Sequence, residues 1–143
     1  LSKRKFFGYR FVRVFDVEVN MADPEKSLVD SFDKPRYVGG IEQLVRIAWR
    51  GLPRVDEKKL VDYAVRMQSH ALVQRLGFIV DFLVKEGLAD PLPKDFRSLL
   101  LRHVGRTAIY LDSRKHMSGK FSKDWRIVNN VSRGQLLSEI EVR

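Results

Sequence analysis

The chain has 143 residues, a net charge of +9, no cysteine and 44% hydrophobic residues. This length supports one hydrophobic core of ordinary size and is short for two, so we expect a single domain over residues 1–143. The lack of cysteine excludes disulfides and thiolate metal sites, and no apolar run resembles a membrane span or a secretory signal. We therefore expect a soluble, cytoplasmic protein with no membrane partner.

The first predicted elements are two short strands joined near Asp16. Apolar residues lie on both sides of this aspartate and alternate clearly with polar ones after it. A period of two is typical of a strand, so the pattern predicts a hairpin. Its apolar positions are Phe11, Val12, Val14 and Phe15, then Val17, Val19 and Met21.

A helix start follows at Asp23. Its carboxylate is placed to accept a free backbone N–H, Pro24 suits the first helical position, and Glu25 meets the positive end of the helix dipole. The helix should end at Lys34, because the following proline disfavours helical backbone in the residue before it. The apolar positions at helical spacing are Leu28, Val29 and Phe32.

Further helices are predicted after the Gly39-Gly40 turn. The second helix has a single apolar stripe, the third begins with a cap at Asp56, and a fifth begins near Lys94. The fourth, over about residues 69–86, is the most apolar, so we expect it at the centre of the core. Gly77 within it costs about 1 kcal/mol relative to alanine, which predicts another backbone close by.

Strands return near the end of the chain. Residues 108–111 and 125–131 have strand patterns around a polar loop, and residues 135–143 form either a terminal helix or a tail. This order predicts an α+β domain, with a central bundle of four to five helices flanked by short N- and C-terminal strands that form one small sheet. If the first and last strands pair, the two basic ends of the chain meet on one side.

The positive charge is concentrated towards these two ends. Residues 1–13 contain basic and no acidic side chains, and residues 102–133 contain eight basic against two acidic ones. The second segment also has Phe121 and Trp125, a composition suited to phosphate contacts and base stacking. The alternative interpretation of residues 113–125 is a solvated loop between two strands, with Trp125 as part of the core. The candidate nucleic-acid-binding residues are Lys3, Arg4, Lys5, Arg10, Arg13, Arg114, Lys115, Lys120, Lys123 and Arg126.

Enzymatic chemistry has little local support. The carboxylates of Asp23, Glu25, Asp30 and Asp33 suggest a metal or acid–base site, but helical spacing makes the first a cap and places the last two on a solvent face near Lys26 and Lys34. His70, His103 and His116 form no ligand-spaced pair, and no nucleophile elbow, phosphate loop or dinucleotide motif is present. Gly39-Gly40 could bind a phosphate through backbone amides, although a turn explains it. We predict no catalytic residues, no metal and no cofactor.

Six segments follow one another between residues 7 and 131: FGYRFVRVF, DVEVNMADPEKSLVD, KPRYVGGIEQLVR, YAVRMQSHALVQRLGFIVDFL, IYLDS and DWRIVNNV. In this order they resemble the C-terminal domain of the AbiEi family, the antitoxins and transcriptional regulators of abortive-infection, type IV toxin–antitoxin systems. The resemblance implies a domain that counteracts a nucleotidyltransferase toxin. In that family it follows a winged-helix DNA-binding domain, and the whole protein represses its own operon.

The chain starts at Leu1 and has no helix-turn-helix pattern before the DPEKSLVD segment. We therefore expect the winged-helix domain to be absent from this sequence. Either it was removed from a longer protein, in which it makes most of the contact with operator DNA, or it never existed, in which case autoregulation through the operator does not follow. The predicted function is that of a non-enzymatic antitoxin and regulator domain that neutralises the toxin and adds a basic surface to DNA binding. The alternatives are a stand-alone nucleic-acid-binding or protein-docking module, or a metal-dependent nucleic-acid enzyme built around Asp23.

Overall fold

The structure, a computed structural model, describes residues 5–140. Helices form the middle of the described chain and short strands flank them, which confirms the predicted α+β class. The elements are β1 (Tyr9–Val14), β2 (Val17–Ala22), α1 (Pro24–Asp33), α2 (Ile41–Gly51), α3 (Glu57–Arg66), α4 (His70–Lys85), α5 (Lys94–Arg102), β3 (Ile109–Tyr110), β4 (Lys120–Ser122), β5 (Ile127–Asn129) and α6 (Arg133–Leu136), with 3-10 turns at Pro35–Val38 and Leu52–Arg54.

The strands form two separate sheets, so the prediction of one small sheet is wrong. β1 and β2 make an antiparallel hairpin, whereas β5 lies between parallel β3 and antiparallel β4. β4 falls in the segment predicted as a polar loop, and its three residues are too few to show a period. A two-residue turn closes β1 onto β2 at little entropic cost, so β1 already has a partner nearby in sequence.

Helix α4 lies at the centre of the core, as predicted. Its Leu72, Leu76, Ile79 and Leu83 are fully buried. The helix packs against α1, α2, α3, α5 and β5, so apolar side chains cover much of its circumference. Between residues 5 and 140, no helix combines the length and the hydropathy that crossing a membrane requires.

The close neighbour of Gly77 is a side chain, so the predicted backbone approach is wrong. A Cβ placed on Gly77 would lie 2.2 Å from an atom of the Trp125 indole ring. Trp125 is 2% exposed, and its indole N–H donates to Asp81 at 2.7 Å. The interpretation that Trp125 belongs to the core is confirmed, and the absent side chain of Gly77 is the notch that receives it.

Helix starts were predicted well, with one correction. The carboxylate of Asp56 accepts the backbone N–H of Lys59 at 2.9 Å, which confirms the cap on α3. Asp23 occupies the cap position of α1, but its side chain accepts no cap hydrogen bond. Instead, it accepts the Tyr63 hydroxyl at 2.8 Å and pairs with the Lys59 ammonium at 3.1 Å. These partners on α3 are about forty positions away and leave no local sequence signal.

Candidate functional site

The β1–β2 hairpin presents apolar side chains to solvent. Cross-strand partners share a face, so Val12 opposite Val19 and Val14 opposite Val17 form an apolar strip on one side. On the other side, Phe11 is 73% exposed. Val14, Val17, Val19 and Met21 are also exposed, so neither face of the hairpin is covered by the rest of the described chain.

The turn at the tip of the hairpin contains a phenylalanine, Phe15, at a position that requires positive φ. Val14 pairs with Val17, which leaves Phe15 and Asp16 as the two-residue turn, with φ of +48° and +64°. Positive φ at both positions is the requirement of a type I′ turn, for which asparagine and glycine are preferred. Phe15 meets neither preference, and its side chain is 98% exposed. The turn therefore holds an aromatic ring in water at the cost of backbone strain.

The base of the hairpin is anchored to the helices through Lys26. This lysine is fully buried, and its ammonium lies 2.6 Å from Asp30 and 4.9 Å from the ring centre of Phe7. Gly8 has φ of +74°, and a Cβ there would lie 2.8 Å from Cβ of Lys26. The segment before β1 thus lies against α1, and the strands extend from this anchor.

The four carboxylates considered as a metal or acid–base site are paired with lysines. Lys59 lies 3.1 Å from Asp23 and 3.6 Å from Glu25. The hydrogen bonds from Tyr63 and Lys59 lower the pKa of Asp23, which keeps it ionised. Asp30 pairs with Lys26, near which it was predicted to lie. Asp33 was predicted on the same solvent face, but its side chain is only 11% exposed and pairs with Lys5 at 2.8 Å. No group of histidine, aspartate and glutamate side chains within residues 5–140 is arranged to hold a metal ion.

The predicted basic residues of the N-terminal segment have different environments. Lys3 and Arg4 lie outside the described residues. Lys5 is engaged by Asp33, whereas Arg10 and Arg13 are exposed on β1. Because β1 pairs only with β2, strand pairing does not join this segment to the C-terminal one.

The predicted basic residues of the C-terminal segment are mostly exposed. Arg114 pairs with Asp112 at 3.2 Å, and Lys115 is half-buried. Lys120 is exposed on β4, and Lys123 and Arg126 are exposed in the turn before β5. In residues 5–140, six of the predicted cations have no carboxylate within 4.0 Å: Arg10, Arg13, Lys115, Lys120, Lys123 and Arg126.

One cavity gathers residues from the C-terminal basic segment and from the helices that precede it. It has a volume of about 180 Å³ and lies between the end of α1, the start of α2, α4 and the chain after β3. Arg114 lines it, and Asp33, the partner of Lys5, lies in its wall. The sequence interpretation missed this site because its other cations, Lys34, Arg36 and Arg75, are dispersed in sequence; the one signal was the Gly39-Gly40 pair.

A second, larger cavity of about 520 Å³ lies between α4, β4 and α6. Its walls are more apolar, with Phe78, Phe82 and Phe121 among them. Lys120 lines this second cavity and Arg114 lines the first. The predicted cations of the C-terminal segment therefore do not all lie at one cavity.

No family model matches this chain, and neither the curated proteins nor the solved structures include one with significant similarity to it.

Proposed function

We propose that this chain is an AbiEi-like antitoxin domain that works by binding, without catalysis or a cofactor, and that neutralises a nucleotidyltransferase-like toxin in the cytoplasm. The family part of the proposal rests on the ordered sequence segments. The observation that supports binding is the β1–β2 hairpin, whose apolar side chains are exposed on both faces.

The hairpin has the properties of a protein-docking element. Exposed aromatic side chains contribute strongly to protein interfaces because they bury a large area on binding and lose little conformational entropy. Arg10 and Arg13 are matched by Asp16 and Glu18, so the hairpin carries no excess charge that would favour a polyanion. Phe15 is the proposed anchor, because folding of the turn itself would favour asparagine at its position.

Co-expression with the toxin tests the proposal. We expect the neighbouring gene to encode a nucleotidyltransferase-like toxin. The product of that gene is expressed alone, with the native chain, or with the variant Phe15→Asn. We expect the native chain to restore growth and to co-purify with the toxin, and F15N to do neither although it folds. The matched control is Phe121→Asn, which removes an exposed phenylalanine from β4, outside the hairpin, and should still restore growth.

Two results would contradict the proposal. If the native chain fails to restore growth, the antitoxin role is wrong. If F15N restores growth as well as F121N does, the toxin is not bound through the hairpin.

A second function, contact with nucleic acid, is favoured by the cations that lack a carboxylate partner in the described chain. Lys120, Lys123 and Arg126 lie close together in sequence around the β4–β5 turn and are exposed. Such side chains bind phosphates as point charges, and each contact adds about 0.9 to the slope of log affinity against log salt. This surface would add to DNA binding by a preceding winged-helix domain.

The nucleic-acid function is tested by titrating duplex DNA at several salt concentrations. The triple variant K120Q/K123Q/R126Q should lower the slope by about 2.7. The control K58Q/R50Q/R54Q removes the same charge from exposed positions near the junction of α2 and α3, and it should leave most of the slope intact. Absence of binding by the native chain at low salt, or equal losses in the two triple variants, would reject this role.

A further inference from the structure

The cavity beside the start of α2 contains more cationic than anionic side chains. Lys34, Arg36, Arg75 and Arg114 line it against Asp33 and Asp112. Both carboxylates are already paired, Asp33 with Lys5 at 2.8 Å and Asp112 with Arg114 at 3.2 Å. Within residues 5–140, this leaves Lys34, Arg36 and Arg75 with no carboxylate closer than 4.0 Å. The cavity walls therefore have four cations against two carboxylates, of which Asp33 also offsets part of the charge of Arg75.

Arg75 is the most informative of these cations. Its guanidinium is half-buried, and burial lowers its pKa, because removing the charge from water is unfavourable. It donates one hydrogen bond, at 3.2 Å, to the carbonyl of Phe32. A guanidinium has five N–H donors, so most of the hydrogen-bonding capacity of Arg75 is not used by the described residues. A half-buried cation with unused donors is stabilised by an anion.

The start of α2 adds backbone donors to the same cavity. Gly40 and Ile41 line it, and no side chain caps the helix at Gly40. The N–H groups of the first helical turn lack intrahelical acceptors and favour a negative charge. Gly40 has φ of +101°, and a Cβ there would lie 2.7 Å from Nη2 of Arg114. Glycine thus lets a guanidinium approach the positive end of the helix.

The guanidinium of Arg114 and the positive end of α2 repel one another unless an anion lies beside them. Asp112 and, at longer range, Glu42 offset part of the charge of Arg114. Asp112 lines the cavity but also accepts the backbone N–H of Arg114 at 3.0 Å, and Glu42 is not among the lining residues. The volume of about 180 Å³ is that of roughly six water molecules. This space admits one tetrahedral oxyanion together with water, and it is smaller than the pockets that enclose whole drug-sized ligands.

We propose that this cavity is a binding site for a single phosphate group, held by Arg75, Arg36, Lys34 and the backbone N–H groups at the start of α2. Arg114 closes one side of the site through its fixed pairing with Asp112. The phosphate is either inorganic or the phosphate of a nucleic acid. The site does not depend on the toxin, and it is distinct from the hairpin and from the cations of the β4–β5 turn.

Inorganic phosphate is the probe that tests the site. Titrated into the ¹⁵N-labelled chain at constant ionic strength, it should give saturable shifts of the backbone amides of Ile41, Glu42 and Gln43. The variant K34Q/R36Q alters exposed residues and should weaken phosphate at least about tenfold, as expected for lost charge-assisted hydrogen bonds. Arg50→Gln, at the other end of α2, should change the affinity less than about twofold.

Two outcomes would overturn the proposal: the absence of saturable shifts in these amides up to about 50 mM phosphate, or equal weakening by K34Q/R36Q and R50Q. Oligonucleotides of one sequence, with a 5′-phosphate or a 5′-hydroxyl, then identify the source. Tighter binding of the phosphorylated strand assigns the site to a nucleic-acid end. If the two strands bind equally and inorganic phosphate displaces both, the site binds an internal phosphodiester. If neither strand displaces phosphate, the site binds the free ion.

Discussion

The two small sheets differ in how the rest of the molecule holds them. In the β3–β5–β4 sheet, Trp125 fills the notch at Gly77, and Gln74 of α4 donates to the carbonyls of Thr107 and Arg126 at 3.2 and 3.1 Å. The buried amide of Asn130 accepts the N–H of Asp112 and donates to the carbonyl of Asp112, both at 2.9 Å. This sheet is part of the packed core.

The β1–β2 hairpin, by contrast, is anchored at its base by Phe7 and Lys26 and is exposed along its strands. Its exposed apolar side chains contribute little to the core, and they are the observation on which the proposed protein contact rests. The comparison shows that the two sheets differ in how much of each is packed against the helices. Substitutions in the two sheets should therefore differ in sign as well as in size.

The largest effect is expected for Trp125→Ala. Removing a buried tryptophan costs about 4 kcal/mol in the free energy of unfolding, because the indole leaves a cavity and Asp81 loses a donor. Phe11→Ala in the hairpin should change stability by less than about 0.5 kcal/mol. Urea unfolding followed by circular dichroism measures both, and similar losses in the two variants would invalidate the contrast between the sheets.

A smaller effect is expected for Gly77→Ala. The added methyl group overlaps the indole ring, and such overpacking costs about 2 kcal/mol. In the W125A background the clash is absent, and the same change should stabilise α4 by about 1 kcal/mol through helix propensity. A double-mutant cycle gives the coupling between the two positions, and additive effects would show that Trp125 does not occupy the notch.

The substitution Phe15→Asn should have a smaller effect of opposite sign. Asparagine adopts positive φ more readily than phenylalanine, so F15N should raise the free energy of unfolding by about 0.5 kcal/mol. The comparison variant Phe15→Val places a β-branched residue in the same turn and should lower it. If F15N is less stable than the native chain, the ring of Phe15 supports the fold and is not free for a partner.

The smallest effect concerns acid stability. The pKa of Asp23 lies below its ordinary value of 3.8, because Tyr63 and Lys59 stabilise the carboxylate. This contribution is fully present above pH 3.8 and is lost as the pH falls towards the lower pKa of the folded state. The stability difference between the native chain and Asp23→Asn should therefore be constant from about pH 5 to 7 and shrink below about pH 4.

Tyr63→Phe should make this acid-induced loss of stability shallower, since it removes the strongest cause of the lowered pKa. Urea unfolding across this pH range measures all three proteins. A constant difference between the native chain and D23N down to about pH 2 would contradict the assignment.

The local elements of this fold were predictable from sequence. The hairpin, the start of each main helix and the central place of α4 follow from apolar spacing and from residues such as Asp56 and Gly87, whose effects extend over a few neighbours. Strand β4 was missed because three residues show no period. The carboxylate of Asp23 was misassigned because Tyr63 competes successfully for it with the helix N-terminus.

The sequence by itself therefore determined the main helices and the strands other than β4, since those choices depend on backbone preferences and short-range contacts. Only the tertiary structure decided that the end strands form separate sheets, that Gly77 receives an indole ring, and that Arg75, Arg36 and Arg114 line one cavity. These outcomes depend on side chains brought together from distant positions. The physical reason is that packing and desolvation act on neighbours in space, whereas sequence patterns record neighbours along the chain.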